Sequence, residues 1–581
     1  MTLSREGEHV PPHLRRRARV LAGLIALLAA VPQAAAHAEP DGGKIATAVR
    51  DDLKDGAATF FVRLKGEADP AAARAPATKA AKAAAVYAAK TGYAERSQAR
   101  LRGLLTERHA VHTPFWIVNA VKVTADPALA AEIAALPEVA GIEPIGTAEV
   151  PRPASGTQQS LTAAKGVEWN IDRIKAPRVW KKLHNRGEGV VVATIDSGVD
   201  FAHPELAAQY RGSRPGGRVQ HDHNWFDATG VCAGPTPCDN LGHGTHVTGI
   251  MTGRSGIGVA PRAEWIAVKG CESAKCADDF LLAAGQWIIA PTDRDGRNPR
   301  PVLAPDIVNN SWAKARRDDW CRPVVQAWVA AGIFPMFAAG NTGPGCDTTE
   351  TPARYAESHS AGSFDVNDAL MPESSRGPGE NEVTKPDIAA PGVDIRSSVP
   401  GGYFVWTGTS MSSPHVAATV TLMWSAAPAL RGDIAATRAL LDGTAIDAPD
   451  AGCGGTADDD NAFGEGRLDA YAAVRSVPDE PLGTLRGTVT ARGRPLPGTE
   501  VTLTGPLRRT TANGRPLPEA EAAGPPLRRT VDTGRDGGFS LRRLPPGDYQ
   551  VTASRPGHTT ATLTIKADRT ITARLRPTRS R

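Results

Sequence analysis

The chain has 581 residues, and none of its apolar runs reaches the ~18 residues that a membrane-crossing helix needs. The run Val20 to Val31 spans only twelve. Strong charge of one sign is also missing. The formal net charge of +5 is small for this length, and no basic–aromatic motif accompanies it. That argues against a nucleic-acid partner and leaves the charge as solvated surface. Cysteine is scarce, with seven residues confined to the stretch from Cys232 to Cys453. No Cys-x-x-Cys and no His-Glu-x-x-His occurs, so neither a structural nor a catalytic zinc site is indicated. No Gly-x-Ser-x-Gly elbow surrounds Ser410, which speaks against an α/β-hydrolase.

The length implies three or four structural units. The first is a leader. Arg15, Arg16, Arg17 and Arg19 precede the short apolar run, and Ala36-His37-Ala38 fits the small-x-small cleavage rule, with Ala34-Ala35-Ala36 as a second option. Residues 1–38 therefore read as a secretory signal rather than an uncleaved anchor, and the mature protein is expected to be secreted, extracellular and soluble. Export permits disulfides. Cys232–Cys238 and Cys271–Cys276 are close enough for small rings, and Cys321–Cys346 is the favoured longer pair, leaving Cys453 over. Spacing alone does not decide connectivity.

Residues 39–157 read as a small α+β unit. Ala57 to Leu64 and Phe115 to Val123 have strand character, with a helical stretch over 71–107 between them. Asp126-Pro127 opens a second helix with Leu129, Ile133 and Leu136 on one face, and Val139 to Ile142 is a last strand. Residues 158–477 alternate continuous apolar runs (Val190 to Ile195, Trp265 to Val268, Ile307 to Val308, Phe334 to Ala339) with helices such as Met411 to Ala426. Strands buried on both faces read this way, so the fold class is α/β, a doubly wound parallel sheet with helices on both faces. Over 482–577 helical periodicity gives way to five short strands: Leu485 to Ala491, Glu500 to Thr504, Gly538 to Leu541, Tyr549 to Ser554 and Thr559 to Ile565. Gly493-Arg-Pro-Leu-Pro recurs at Gly514, and Leu507-Arg-Arg-Thr recurs at Leu527, a local duplication rather than a solenoid.

Three runs carry chemistry: Ile195-Asp196-Ser197-Gly198-Val199, Gly242-His243-Gly244-Thr245-His246 and Gly408-Thr409-Ser410-Met411-Ser412-Ser413-Pro414. A serine hydroxyl is a weak nucleophile until an imidazole takes its proton and a carboxylate orients that imidazole. Acid, base and hydroxyl occur here in one of the few known triad orders. Asp196 directly follows a buried strand, His243 opens a helix, and Ser410 precedes one whose N-terminus favours negative charge. Singly each run has a plain reading: a turn, a histidine pair, a loop. Jointly and in order they indicate a catalytic triad. His415 reads as a packed helix residue, and His221-x-His223 as loop.

The region 186–475 resembles the catalytic domain of the subtilases, closest to their bacillopeptidase F-like branch. The matching segments are VVATIDSGVDFAHPEL, LGHGTHVTGI, GVAPRAEWIAVK, PDIVNNSWA, GIFPMFAAGNTGPGC, KPDIAAPGVDIRSSVPGG, GTSMSSPHVAA and FGEGRLDAYAAV. The resemblance implies that Asp196, His243 and Ser410 are the triad of a serine endopeptidase. It further implies that Asn341 is the oxyanion-hole amide and that Ser311, Trp312, Ala313 and Gly340 bind substrate. Ala313 stands where the family usually has glycine, and Lys269-Gly270-Cys271 departs from the usual substrate edge, where a small disulfide ring would take its place. FFVRLKG, IVNAVKV and LAAEIAALPEVAGIEP resemble the inhibitor-like propeptide of the same family, with self-cleavage expected within 146–162. GTVTARGRPLPGTEVTLTG and DTGRDGGFSLRRLPPGDYQVTASRPG resemble the carboxypeptidase regulatory-like β-sandwich, which implies a fold and no activity. The resemblance implies no cofactor for the chemistry and admits structural calcium without assigning its ligands. Expected partners are protein or peptide substrates and the chain's own propeptide; the protein is expected to be monomeric. Two rival readings are an inactive scaffold with an adhesive β-domain and an esterase using the same serine.

Overall fold

The computed structural model describes residues 43–69, 78–150, 156–159, 166–314, 318–478, 483–505, 527–544, 547–567 and 571–575. The expected signal segment 1–38 lies outside them. After a short helix α1 (Thr47–Asp52), strand β1 (Ala58–Leu64) has alternating burial. Phe60, Val62 and Leu64 face the unit's own core with Leu101, Leu105 and Ile133, while Phe61 faces the central unit. The expected long helix is two, α2 (Lys79–Ser97) and α3 (Ala99–Glu107). They break at Gln98, which turns its amide inward to the Phe115 carbonyl (3.0 Å) and Asn119 Oδ1 (3.2 Å). The expected strand over 115–123 is likewise a hairpin, β2 (His112–Phe115) and β3 (Ala120–Ala125), because Asn119 turns the chain at φ 45°. Helix α4 (Pro127–Ala134) starts as read, with Asp126 accepting from the Leu129 N–H at 2.8 Å. Strand β4 (Val139–Pro144) completes a sheet of order β2-β3-β1-β4.

The chain then continues as β5 (Thr147–Glu149), β6 (Gly156–Gln159), α5 (Trp169–Arg173), α6 (Ala176–Lys182), β7 (Val191–Asp196), β8 (Trp225–Asp227), α7 (His243–Thr252), β9 (Glu264–Lys269) and β10 (Lys275–Ala277). It goes on through α8 (Asp278–Ile289), β11 (Ile307–Asn310), α9 (Arg322–Ala330), β12 (Phe334–Ala338), β13 (His359–Phe364), β14 (Ile388–Pro391), the hairpin β15 (Ile395–Val399) and β16 (Gly402–Trp406), α10 (Thr409–Ala426), α11 (Ile434–Asp442) and α12 (Ala470–Ser476). Seven strands form one sheet of order β14-β13-β12-β11-β7-β9-β8, and every neighbouring pair is parallel. Along β7 the side chains alternate between two cores. Val192 faces Val416, Val420 and Trp424 of α10, while Ala193 and Ile195 face Leu281, Ile288 and Trp328 of α8 and α9. A strand covered on both sides needs apolar residues at every position, hence its unbroken apolar run. The fold class is the expected doubly wound α/β sheet, with a C-terminal all-β unit.

That last unit comprises β17 (Gly483–Ala491), β18 (Arg494–Pro495), β19 (Glu500–Gly505), β20 (Leu527–Asp532), β21 (Gly538–Leu544), β22 (Gly547–Ser554), β23 (Ala561–Ala567) and β24 (Ile571–Leu575). One sheet joins β18, β17 and β21, with β24 on β17; the other runs β20-β19-β22-β23. Leu485, Val501, Leu503, Phe539, Tyr549 and Val551 fill the space between them. The second copy of the Leu-Arg-Arg-Thr repeat forms β20; the copies at Leu507 and Gly514 lie outside the described residues.

Disulfides join Cys232–Cys238 and Cys271–Cys276, the two small rings expected. The longer pair corrects the sequence reading. Cys346 bonds Cys453, and Cys321 is free and buried beside Val324 and Trp328 at the start of α9. Short separation favoured Cys321–Cys346, but the fold turns Cys321 into the core and brings the loops of Cys346 and Cys453 together.

Candidate active site

Asp196 ends β7 and His243 begins α7. The imidazole Nδ1 lies 2.8 Å from Asp196 Oδ1 and 3.0 Å from Oδ2, with both residues buried. The Ser197 N–H also donates to Asp196 Oδ1, at 2.7 Å. Helix α7 must start close to the strand end. A Cβ on Gly244 would meet the Gly198 carbonyl oxygen at 2.0 Å, and one on Gly198, at φ 106°, would meet the Cys238 carbonyl oxygen at 1.8 Å. The glycines beside the acid and the base therefore let the two elements touch. Asp239 ties them further, accepting from Ser197 Oγ at 2.8 Å and from the Thr245 N–H at 2.9 Å.

Lys269, at the end of β9, stood in the sequence only as part of the departure at Lys269-Gly270-Cys271, with no role assigned. Its fully buried ammonium donates to the Ser197 carbonyl (2.6 Å), Asn240 Oδ1 (2.6 Å) and the Cys271 carbonyl (3.1 Å). It thus links the Asp196 strand to the Cys271–Cys276 ring. Burial pushes the ammonium below the ordinary lysine range, opposed by Asp239, Asp227 and Asp196. Trp406 is a second unforeseen neighbour: its ring stacks on His243 at 5.6 Å and lies 4.7 Å from the His246 ring.

Ser410 lies in the first turn of α10, which begins at Thr409, two residues earlier than the expected start at Met411. Its hydroxyl donates to the Ser311 carbonyl at 3.2 Å, and Ser311 Oγ donates back to the Ser410 carbonyl at 2.9 Å. His243 Nε2 is buried and makes no hydrogen bond among the described residues. Asn341 follows β12. Its Oδ1 accepts from the Thr409 N–H (2.9 Å) and Thr409 Oγ1 (3.0 Å), which leaves the amide nitrogen beside Gly408. Gly408 takes φ 152°, and a Cβ there would stand 3.1 Å from that nitrogen. Gly340 is tied to the same helix start, its N–H donating to Thr409 Oγ1 at 3.2 Å.

Two further histidines near the cluster, His246 and His415, are packed and bonded to backbone carbonyls. His246 Nε2 lies 3.1 Å from both the Ile395 and Phe404 carbonyls, and burial pushes its pKa down to about 3. His415 donates from Nδ1 to the Met411 carbonyl at 2.7 Å and is pushed down to about 4 by burial. Among the described residues no three His, Cys, Asp or Glu side chains are grouped to hold a metal ion, so the calcium that subtilases admit is given no site here.

Strand β5 occupies the groove beside this cluster. It pairs antiparallel with β10 inside the Cys271–Cys276 ring, and Glu149 and Ala313 exchange backbone hydrogen bonds of 2.8 and 2.9 Å. The Val150 N–H donates to the Ala274 carbonyl at 2.8 Å. Upstream, Gly146 and Asp278 exchange bonds of 3.0 Å, the Gly146 N–H reaching a carboxylate that Lys314 also holds at 2.8 Å. The chain thus lays one of its own extended segments between two backbone edges. One of these edges leads to Ser311 and so to Ser410, and both bind it through main-chain bonds, as in peptide recognition by strand addition. The Ser311–Ala313 edge was legible by motif; the Ala274–Ala277 edge was legible only as a small disulfide ring standing in the place of the usual substrate edge, with no residues assigned to it.

Residues 187–466 match the subtilase family model, and residues 484–577 match the carboxypeptidase regulatory-like domain. The chain is 38% identical over 503 residues to Bacillopeptidase F of Bacillus subtilis, covering 78% of this chain and 34% of that protein, so it spans about a third of that relative. It is 29% identical to Subtilisin E of the same species over 57% of this chain and 77% of that protein. It is 32% identical to M-protease of Shouchella clausii over 54% of this chain and 71% of that protein. With its parallel seven-stranded sheet and these matches, the chain belongs to the subtilase family.

Proposed function

We propose that this chain is a secreted serine endopeptidase made as a self-processing precursor. Ser410 Oγ attacks a peptide carbonyl carbon while His243 Nε2 takes its proton. The proton then passes to the leaving amine as the C–N bond breaks, and water releases the acyl group by the reverse roles. Asp196 orients the imidazole. The hydroxyl must leave the Ser311 carbonyl for His243 Nε2, a bond that often forms only with substrate present. The Asn341 amide and the Ser410 N–H stabilise the oxyanion. Ser311, Trp312, Ala313 and Gly340 line the substrate path. Residues 1–38 act as signal, 39–157 as an inhibiting propeptide, 158–477 as the catalytic unit and 482–577 as an accessory β-sandwich. The protein works as a monomer and needs no cofactor for the chemistry.

The observation that carries this reading is the 147–150 segment, hydrogen-bonded as an added strand in the groove that leads to Ser410. The test is Ser410→Ala in the full-length chain, expressed where no other protease acts. We expect an unprocessed precursor, whereas wild type yields a shorter form that hydrolyses casein and is labelled by a fluorophosphonate. Normal processing of the variant refutes self-cleavage. No label on wild type points to an inactive scaffold, and label with ester but no peptide hydrolysis points to an esterase.

A further inference from the structure

Two walls flank Ser410: Ser311–Ala313 after β11, whose Ser311 carbonyl accepts from the Ser410 hydroxyl, and Ala339–Asn341 after β12, whose Asn341 accepts from the neighbouring Thr409 N–H. The segment 349–351 bridges them. The Glu350 N–H donates to the Ala339 carbonyl at 3.0 Å, while Thr351 and Lys314 exchange backbone bonds of 2.9 and 3.1 Å. Glu350 is therefore bonded to one wall while its neighbour is bonded to the other, and it sits between them. Its side chain lies over Gly340: a Cβ there would meet Glu350 Oε2 at 2.3 Å and Cγ at 2.8 Å. The absence of a side chain at 340 makes room for this carboxylate. Burial raises the Glu350 carboxyl above the usual range, opposed by the Asn341 N–H that faces it, and a second carboxylate, Glu149, adds to the rise. Among the described residues no lysine, arginine or histidine forms an ion pair with Glu350. A largely buried carboxylate without a cation is costly to keep. In a substrate groove that cost is offset when the ligand brings the missing charge.

We infer that Glu350 makes this groove select peptides with arginine or lysine on the carbonyl side of the cleaved bond. The inference rests on the peptidase reading above. The walls are those that carry Ser311 and Asn341, so the side chain entering between them belongs to the residue whose carbonyl lies at Ser410 and Asn341. Arginine can meet a carboxylate with two parallel N–H bonds, lysine with one ammonium. The apolar stem of either would lie along Gly340 and Ala313. Ala313, one methyl larger than the family's usual glycine, narrows the space and favours a slim chain over an aromatic ring.

The test uses the processed full-length protein and peptides that differ only in that residue: arginine, lysine, phenylalanine or alanine. Wild type should show kcat/KM about 10-fold or more higher for arginine and lysine than for phenylalanine. Glu350→Gln should reduce the arginine-to-phenylalanine ratio by a similar factor, and Glu350→Lys should lower it further, below one. Because each ratio is taken on one enzyme preparation, partial misfolding cancels. Equal cleavage of all four peptides by wild type, or an unchanged ratio in both variants, overturns the inference while leaving the peptidase reading intact. No cleavage of any peptide by a processed, folded chain overturns both.

Discussion

At the scale of single residues, the acid, base and serine were legible because each stands in a run whose glycines serve contact. Gly244 and Gly198 let α7 meet β7, and Gly408 leaves space for the Asn341 amide. The groups that hold those residues were not legible. Lys269 and Trp406 act through contacts made by distant segments; nothing in the local sequence marks Trp406, and Lys269 is marked only as part of a departure from the usual substrate edge, not for the role its ammonium plays. Asn341 Oδ1 is anchored by Thr409, so its amide nitrogen is held for donation. Asn341→Ala should lower kcat by roughly 100- to 1,000-fold, about 3 kcal/mol, with KM little changed; that magnitude is set by the corresponding asparagine of subtilisin. Steady-state kinetics check it, and full turnover would remove Asn341 from the oxyanion site.

Among the elements, the strands of the central sheet that read as continuous apolar runs were expected, and β8, β13 and β14 were not. Strand β13 reads His-Ser-Ala-Gly-Ser-Phe and is wholly buried, but it has no apolar alternation to betray it. Its place is decided by pairing with β12 and β14. Helices α7 and α10 carry buried His246 and His415, held neutral by burial with values near 3 and 4 against an ordinary 6.5. The folded values are depressed, so the unfolded chain binds more protons below pH 6.5. Stability is full above that value and falls with acidification toward the folded values, by roughly 1.4 kcal/mol per pH unit per histidine. Urea midpoints measured from pH 7 to pH 5 should fall accordingly, and His415→Gln should flatten the slope; a pH-independent midpoint contradicts this. The disulfides separate by loop length. Cys346–Cys453 spans a separation of 107, against 6 and 5 for the small rings. Replacing both Cys346 and Cys453 by serine should cost about 2–5 kcal/mol, more than removing either small ring, as denaturant titration would show.

For the whole molecule, the cores divide unevenly. Among the described residues, the C-terminal β-unit has a core drawn only from residues 485–565. A chain ending after residue 478 should keep the unfolding midpoint and turnover of the remainder; loss of either would reveal a dependence its core does not predict. The N-terminal unit shares a core with the central one. Phe61, Phe115, Ile117 and Val118 pack in the same cluster as Trp287, Val324 and Trp328. Four such side chains are worth roughly 6–12 kcal/mol of gross burial. The two units should therefore stay associated after a chain break, and the separate 39–157 segment should inhibit the processed chain when supplied in trans, measured by casein hydrolysis. Undiminished hydrolysis would refute its inhibitory role. The sequence by itself determined the order of the Asp196, His243 and Ser410 runs, the α/β class and the all-β character of the C-terminal unit, because these depend on local periodicity and on short motifs whose chemistry is carried by residue type. Tertiary structure alone decided which cysteines pair, how the 147–150 segment lies between Ala274–Ala277 and Ala313, and that Glu350 faces Gly340. Each of these depends on bringing together loops from strands far apart in the chain, and no local pattern records that closure.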